Sequence, residues 1–299
     1  MSIISVYWQS WSTRWTEKAE DMDLANIDPK VNMVNISFAH PDCYYKDKSF
    51  IGTGLGFSQS FSVVQKAIQI LRNRGVVVML AVGGATYPFN TDPVKMDNLI
   101  RLAKDMGVDG IDIDWESDKG VAEDYIFSTL IKEYRARLWP GAKLSFAGWS
   151  TGAYGPDSWS KYKGMNIKGM VEHGGKIDWI NIMSYDAGKE YDALGAYTAY
   201  RIYFKGPLLL GFQPGKQGWG DAMLSQNDVD RGLDFVKMDG KQNGMFIWSY
   251  QKDGESSPSV KKIIDTAHQK FGSVKPPVVE KPSQGCVCPY CGNTLKITK

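Results

Sequence analysis

The sequence predicts an α/β protein built on one TIM (β/α)8 barrel, and three of its features point there. Strand-like and helix-like segments alternate from end to end, the strand-like ones number eight, and together they fill roughly 270 residues, the usual span of one such barrel. A doubly wound open sheet would alternate in the same way. Its first helix, however, would follow a Gly-rich phosphate loop, and none is present.

The predicted strands are Ile3–Trp8, Val31–Ala39, Val76–Val82, Gly110–Glu116, Lys143–Trp149, Ile177–Tyr185, Pro207–Phe212 and Gly244–Tyr250. Helical patterns fill the gaps. Phe61, Val64, Ala67, Ile68 and Leu71 recur at helical spacing before Gly75 ends the run. Thr91-Asp92-Pro93 is an N-cap and first-turn signature, followed by Met96, Leu99, Ile100 and Ala103 and stopped by Gly107. Tyr125–Leu138 has mixed charges on its outer face, and Asn227–Met238 and Ser259–Lys270 close the series. No internal repeat is visible beyond the alternation itself. The barrel is assigned to 1–272. "GSVKPPVVEKPSQG" then lacks periodicity and is rich in Pro, Lys and Ser, which makes 273–285 a semi-extended linker to a short tail, 286–299.

Thirty-five basic against 33 acidic side chains leave almost no net charge, which argues against nucleic acid or a membrane surface as the partner. No apolar run approaches the length of a membrane span. The N-terminus lacks a basic segment followed by an apolar one. The chain is therefore expected to be secreted or released without a visible signal peptide, or to belong to an extracellular or particle assembly. Ten Trp and fifteen Tyr are a high load, as recognition surfaces often carry.

The stretch "GVDGIDIDWES", Gly107 to Ser117, holds the chemistry. Ile111, Ile113 and Trp115 alternate with Asp112, Asp114 and Glu116, so one face of this strand is apolar and the other acidic. In a barrel the apolar face suits the helices and the acidic face points inward, with Glu116 highest at the C-terminal end, where such barrels do their chemistry. Stacked carboxylates raise one another's pKa, so the top one can stay protonated near neutral pH, as a general acid must. A strand with only a structural role, buried on both faces, would instead be rich in Val and Ile throughout.

"DGIDIDWE" resembles the DxxDxDxE signature of glycoside hydrolase family 18, the chitinases and their relatives, with Asp109, Asp112, Asp114 and Glu116 in its acidic places. "MSYD" is similar to the family's MxYD motif on the sixth strand and gives Met183, Tyr185 and Asp186. "LAVGG" resembles SxGG on the third, with Gly83 and Gly84, although Ala81 replaces the usual Ser. "VYWQSW" places Tyr7 in the site and Trp11 near the sugar path, "ISFA" puts Phe38 on the second strand, and "MFIWSY" puts Trp248 under the sugar at the cleavage point. The resemblance spans about residues 3 to 270. It implies catalysis without a cofactor, by the substrate's own acetamido group rather than a second carboxylate. Glu116 would be the acid and base. Asp114 would orient the acetamido group, backed by Asp112, with Tyr185 on its carbonyl and Asp186 on the distorted sugar.

Two departures narrow the implied substrate path. Ala85 stands where many members carry Trp, so one leaving-side platform is expected to be missing. The span from Gln213 to Gly244 is too short for the insertion domain of processive chitinases, though Trp219 in it could partly compensate. The reading is endo-acting hydrolysis of β-1,4 linkages in chitin. The other readings are an endo-β-N-acetylglucosaminidase acting on N-glycans or peptidoglycan, and a catalytically silent carbohydrate-binding or structural subunit. In the tail, Cys286, Cys288 and Cys291 resemble one knuckle of a zinc ribbon, one thiolate short of a tetrahedral site. The fourth ligand would come from Cys43, another chain or a partner, making the tail a structural zinc knuckle or a docking segment for a protein partner. A flexible tail and a local disulfide are the other readings of it.

Overall fold

The computed structural model describes residues 2–87, 92–116, 124–154, 167–218, 222–240, 242–252 and 258–272. Eight parallel strands close into a barrel in sequence order: β1 (Ile3–Gln9), β2 (Met33–Ala39), β3 (Val77–Gly83), β4 (Gly110–Asp114), β5 (Lys143–Trp149), β6 (Trp179–Met183), β7 (Leu208–Phe212) and β8 (Gly244–Ile247). Ring closure is by Ile3 to Val6 of β1 against Gly244 to Ile247 of β8. The linker at 273–285 and the tail with Cys286, Cys288 and Cys291 lie outside the described residues, as does Trp219.

The helices are α1 (Phe61–Asn73), α2 (Pro93–Met106), α3 (Asp124–Arg137), α4 (Ile167–His173), α5 (Ala193–Tyr203), α6 (Gln226–Met238) and α7 (Val260–Phe271). Their ends follow the sequence signals. Asp92 caps α2 by accepting the Val94 N–H at 2.8 Å, and Gly107 stops it at φ +78°. Ser225 and Asp228 form a reciprocal capping box on α6. The connection from β7 to β8 contains α6 and no insertion domain among the described residues.

Helices do not fill every gap as expected. β1 runs to β2 through three short 3-10 turns at Ser10–Ser12, Ala19–Asp21 and Asp23–Asn26, with no α-helix. Conversely, α4 and α5 had no sequence assignment. Glycines crowd the α4 region, and α5 reads "ALGAYTAYRIY", whose Tyr and Thr favour strands on intrinsic grounds. Asp192, which caps α5 by accepting the Leu194 N–H at 3.1 Å, was the available signal.

Side-chain parity divides the core in two. Outward residues such as Ile111, Ile113, Leu144, Phe146, Ile180 and Ile182 join the helices in one continuous apolar layer. Inward residues form a smaller cluster that includes Tyr7, Met79, Ala81, Trp179, Tyr185 and Phe246. Trp115 stacks on Phe127 of α3 at 5.6 Å and 15°, on the helix side as its alternation requires. Cys43 is fully buried and its thiol is pushed up to about 12 by that burial.

At the N-terminal end of the barrel one device recurs four times. The residue just before each even strand uses its side-chain oxygen to accept an N–H from the preceding odd strand. Asn32 takes the Ile4 N–H at 2.9 Å, Asp109 that of Val78 at 2.9 Å, Asp178 that of Leu144 at 2.9 Å, and Asn243 that of Leu208 at 3.0 Å. In the first three the same residue returns its own N–H to that strand residue's carbonyl, so the clasp runs both ways. An arginine from the helix following the preceding even strand covers three of them: Arg72 on Asp109 at 2.8 Å, Arg135 on Asp178 at 2.6 Å and Arg201 on Asn243 at 2.7 Å. The barrel thus repeats in quarters. Asp109, in the first acidic place of the family-like motif, belongs to this clasp and not to the opposite end where Glu116 sits. Gly110 follows it because the strands meet closely there: an added Cβ would lie 2.0 Å from the Lys143 carbonyl oxygen.

Candidate active site

The inward face of β4 rises as predicted through Asp112, Asp114 and Glu116, the last two residues of the series ending at and just past the strand. Asp112 is fully buried, and both of its oxygens are engaged. Tyr7 Oη donates to Oδ2 at 2.6 Å, while Ser145 Oγ and Asn181 Nδ2 donate to Oδ1 at 2.5 and 3.1 Å. Asn181 also donates to Tyr7 Oη at 3.1 Å, tying β1, β4, β5 and β6 into one network. Ala81, paired with Asp112 in register, brings no hydroxyl, and Ser145 supplies one from the strand on the other side.

Asp114 differs. It is 3% exposed, and its Oδ1 has no hydrogen-bond partner among the described residues. An orphan carboxyl oxygen at this depth is costly unless the group is protonated or meets a polar partner.

The pKa directions follow from these surroundings. Burial pushes Asp112 up to about 6, held back by the donors Ser145, Tyr7 and Asn181. Asp114 is pushed well above the carboxylate range by burial and by the charges of Glu116 and Asp112. Burial lifts Glu116 to about 7, with Asp186 adding to the rise and Trp149 opposing it. By geometry Trp149 Nε1 has no hydrogen-bond partner among the described residues, so burial is the cause that counts for Glu116. Burial and mutual repulsion thus make every carboxyl of the column harder to ionise than a free one.

Above it opens a cavity of about 500 Å³. Tyr7, Trp11, Phe38, Gly84, Met183, Tyr185, Asp186 and Trp248 line it together with Asp114 and Glu116. Of the residues expected in the site, Gly83 and Asp112 do not line the cavity; Gly83 pairs with Asp114 in the β3–β4 register, and Asp112 lies below in the network. Gly84 is needed as glycine on two grounds: its φ is +90°, and a Cβ would lie 3.1 Å from the Phe38 ring. Three rings run from floor to rim in near-parallel planes. Trp248 and Phe38 stack at 5.4 Å and 28°, and Phe38 and Trp11 at 6.3 Å and 30°, with Trp11 half exposed. Apolar ring faces of this kind suit the flat faces of sugars.

Sequence reasoning missed Trp149, Ser150, Ser145 and Asn181. Ser145 and Trp149 share the inward parity of β5, and Asn181 that of β6, so the period-2 rule applied to every strand would have found them. Among the described residues no group of three or more His, Cys, Asp or Glu is arranged to hold a metal ion.

Comparison with known proteins agrees with this geometry. The sequence profile of glycosyl hydrolases family 18 matches residues 3–223, stopping short of the β8 strand that closes the barrel. Chitinase 1 of Aphanocladium album is 30% identical over 129 residues, which are 38% of this chain and 29% of that protein. The chain spans between 29% and 54% of the length of the first three curated relatives it matches. Among solved structures, a GH18 chitinase from Pseudoalteromonas aurantia superposes with a TM-score of 0.64 at 21% identity, covering 90% of this chain and all of that one. A Cycas revoluta chitinase solved in complex with (GlcNAc)4 gives 0.65 at 14% identity, over 91% of this chain and 100% of that one. At such identities the likeness speaks for the fold.

Proposed function

The chain belongs to glycosyl hydrolases family 18, and on that footing we propose that it cleaves β-1,4 linkages within N-acetylglucosamine polymers such as chitin. The observation that carries this reading is the unequal pairing within the carboxylate column. Asp112 is saturated by donors, whereas Asp114 keeps a buried, unpartnered oxygen beside Glu116, whose pKa burial lifts to about 7. An acetamido group is the kind of partner such an oxygen lacks.

The chemistry follows. Glu116 gives its proton to the glycosidic oxygen as the bond from C1 breaks. The acetamido carbonyl oxygen bonds to C1 in its place, forming an oxazolinium whose N–H faces Asp114. Tyr185 holds the acetamido side, and Asp186 the distorted sugar. The Glu116 carboxylate then takes a proton from water, whose oxygen attacks C1 from the face the leaving group vacated as the bond from C1 to the acetamido oxygen breaks and the acetamido group is restored. Two inversions at C1 give net retention. The short β7–β8 connection, with no insertion domain among the described residues, supports cuts inside a chain.

Two results are expected. The first product should carry the β configuration, and a thiazoline analogue of the oxazolinium should inhibit; an α-anomer seen first by proton NMR would exclude the route. The value of kcat/KM should also fall as pH rises through about 7, because Glu116 of the free enzyme must enter the reaction protonated. A kcat/KM that stays flat to the alkaline side of that value would remove Glu116 as the acid. The reading as a whole is tested by product analysis on chitin oligosaccharides and glycopeptides side by side. Cleavage confined to the glycopeptides would replace chitin by N-glycans.

A further inference from the structure

Asp186 lies just past β6 with φ at +50°, a left-handed backbone that residues other than glycine rarely adopt. Its backbone N–H and its carboxylate are held by the connection between β7 and α6. The Asp186 N–H donates to Gln217 Oε1 at 2.9 Å, and the Gly218 N–H donates to Asp186 Oδ1 at 2.6 Å. Gln213, 2% exposed, bridges from behind. With its amide turned to satisfy both ends, its nitrogen donates to Asp186 Oδ2 at 3.2 Å and its oxygen accepts from Lys252 Nζ at 3.0 Å. Lys252 follows β8, so residues after β7 and β8 converge on one carboxylate rooted after β6.

We infer that Gln217, Gln213 and Lys252 are positioning residues that hold Asp186 in its left-handed turn and aim its carboxylate into the cavity. Each atom has a separate task. Gln217 fixes the backbone, and Gly218 and Gln213 each occupy one carboxylate oxygen, leaving the remaining lone pairs toward the cavity. Lys252 locks the Gln213 amide in the orientation that lets its nitrogen face Asp186. The short β7–α6 connection thereby controls a group that lines the site, although none of these three side chains lies in the family-like motifs. The kinetic part of the inference rests on the proposed function; the structural part does not.

The test compares wild type with Gln217→Ala, Gln217→Glu and Lys252→Met by two readouts. One is hydrogen exchange at the Asp186 amide, followed by NMR without substrate. The other is kcat and KM on chitin oligosaccharides at about pH 6, with melting temperatures confirming that each variant folds. Gln217→Ala should speed Asp186 exchange and lower kcat about tenfold or more with KM little changed, since small displacements of a positioned group cost that much. Gln217→Glu keeps an acceptor for the Asp186 N–H and should restore protection and most of kcat. Lys252→Met should lower kcat several-fold. Retained Asp186 protection in Gln217→Ala would overturn the inference, as would lost protection with unchanged kcat. If wild type cleaves no oligosaccharide, the proposed function fails, and amide exchange alone still decides the clamp.

Discussion

Glu116→Gln should abolish hydrolysis while leaving sugar binding in place. The cavity is also lined by Asp114 and Asp186, but Asp114 is buried to 3% exposure, and Asp186 is held by the β7–α6 connection. In the proposed mechanism Glu116 is the proton donor to the leaving oxygen, so the loss should reach at least about a hundredfold. The same substitution should stabilise the fold at high pH. A carboxyl whose pKa is raised on folding binds its proton more tightly in the native state, so stability declines as pH climbs from the unfolded value near 4.5 to about 7. Above that range the cost levels off at on the order of 3 kcal/mol, and glutamine does not incur it. Urea unfolding at pH 8 should therefore favour the variant, and the advantage should disappear below about pH 4.5. Near-normal turnover by the pure variant would refute the assignment of Glu116, and a variant less stable at pH 8 would refute burial as the origin of its raised pKa.

Asp109→Ala should cost stability while leaving the chemistry intact. It strands the Val78 N–H in a fully buried position and removes the partner of Arg72. Leaving a buried donor unsatisfied costs about 1–3 kcal/mol, and the Arg72 pair, half exposed on one side, adds less than about 1 kcal/mol. Arg72→Ala alone should thus cost a fraction of what Asp109→Ala costs. Both variants, assayed at low temperature, should keep kcat within about twofold, because Asp109 sits at the opposite end of the barrel from the chemistry. A large loss of kcat in a folded Asp109→Ala protein would return this residue to the catalytic column.

The barrel was legible because its signals are local. Eight strands, the helix caps at Asp92 and Ser259, and the two faces of the Gly107 to Ser117 stretch all follow from periodicity and capping chemistry within a few residues. The family-like motifs then named the rim. What stayed hidden depends on partners far apart in sequence. Asp112 draws its donors from Tyr7, Ser145 and Asn181, at separations of 105, 33 and 69 residues. The clasp residues look like ordinary turn Asn and Asp until register places them against the neighbouring strand. Aromatic α5 was masked by its own strand-forming composition, and the β1–β2 connection by the expectation that every strand is followed by a helix.

The four clasps at the base also say how this barrel could have been put together. Each clasp binds an odd strand to the even strand after it, so the natural joints of the chain lie between the pairs β1–β2, β3–β4, β5–β6 and β7–β8. A pair of strands secured in this way is a transferable cassette. Duplicating, exchanging or re-ordering whole cassettes would keep every clasp intact, whereas a cut inside one would sever it. The rim above can then diversify loop by loop while the underlying joinery stays constant.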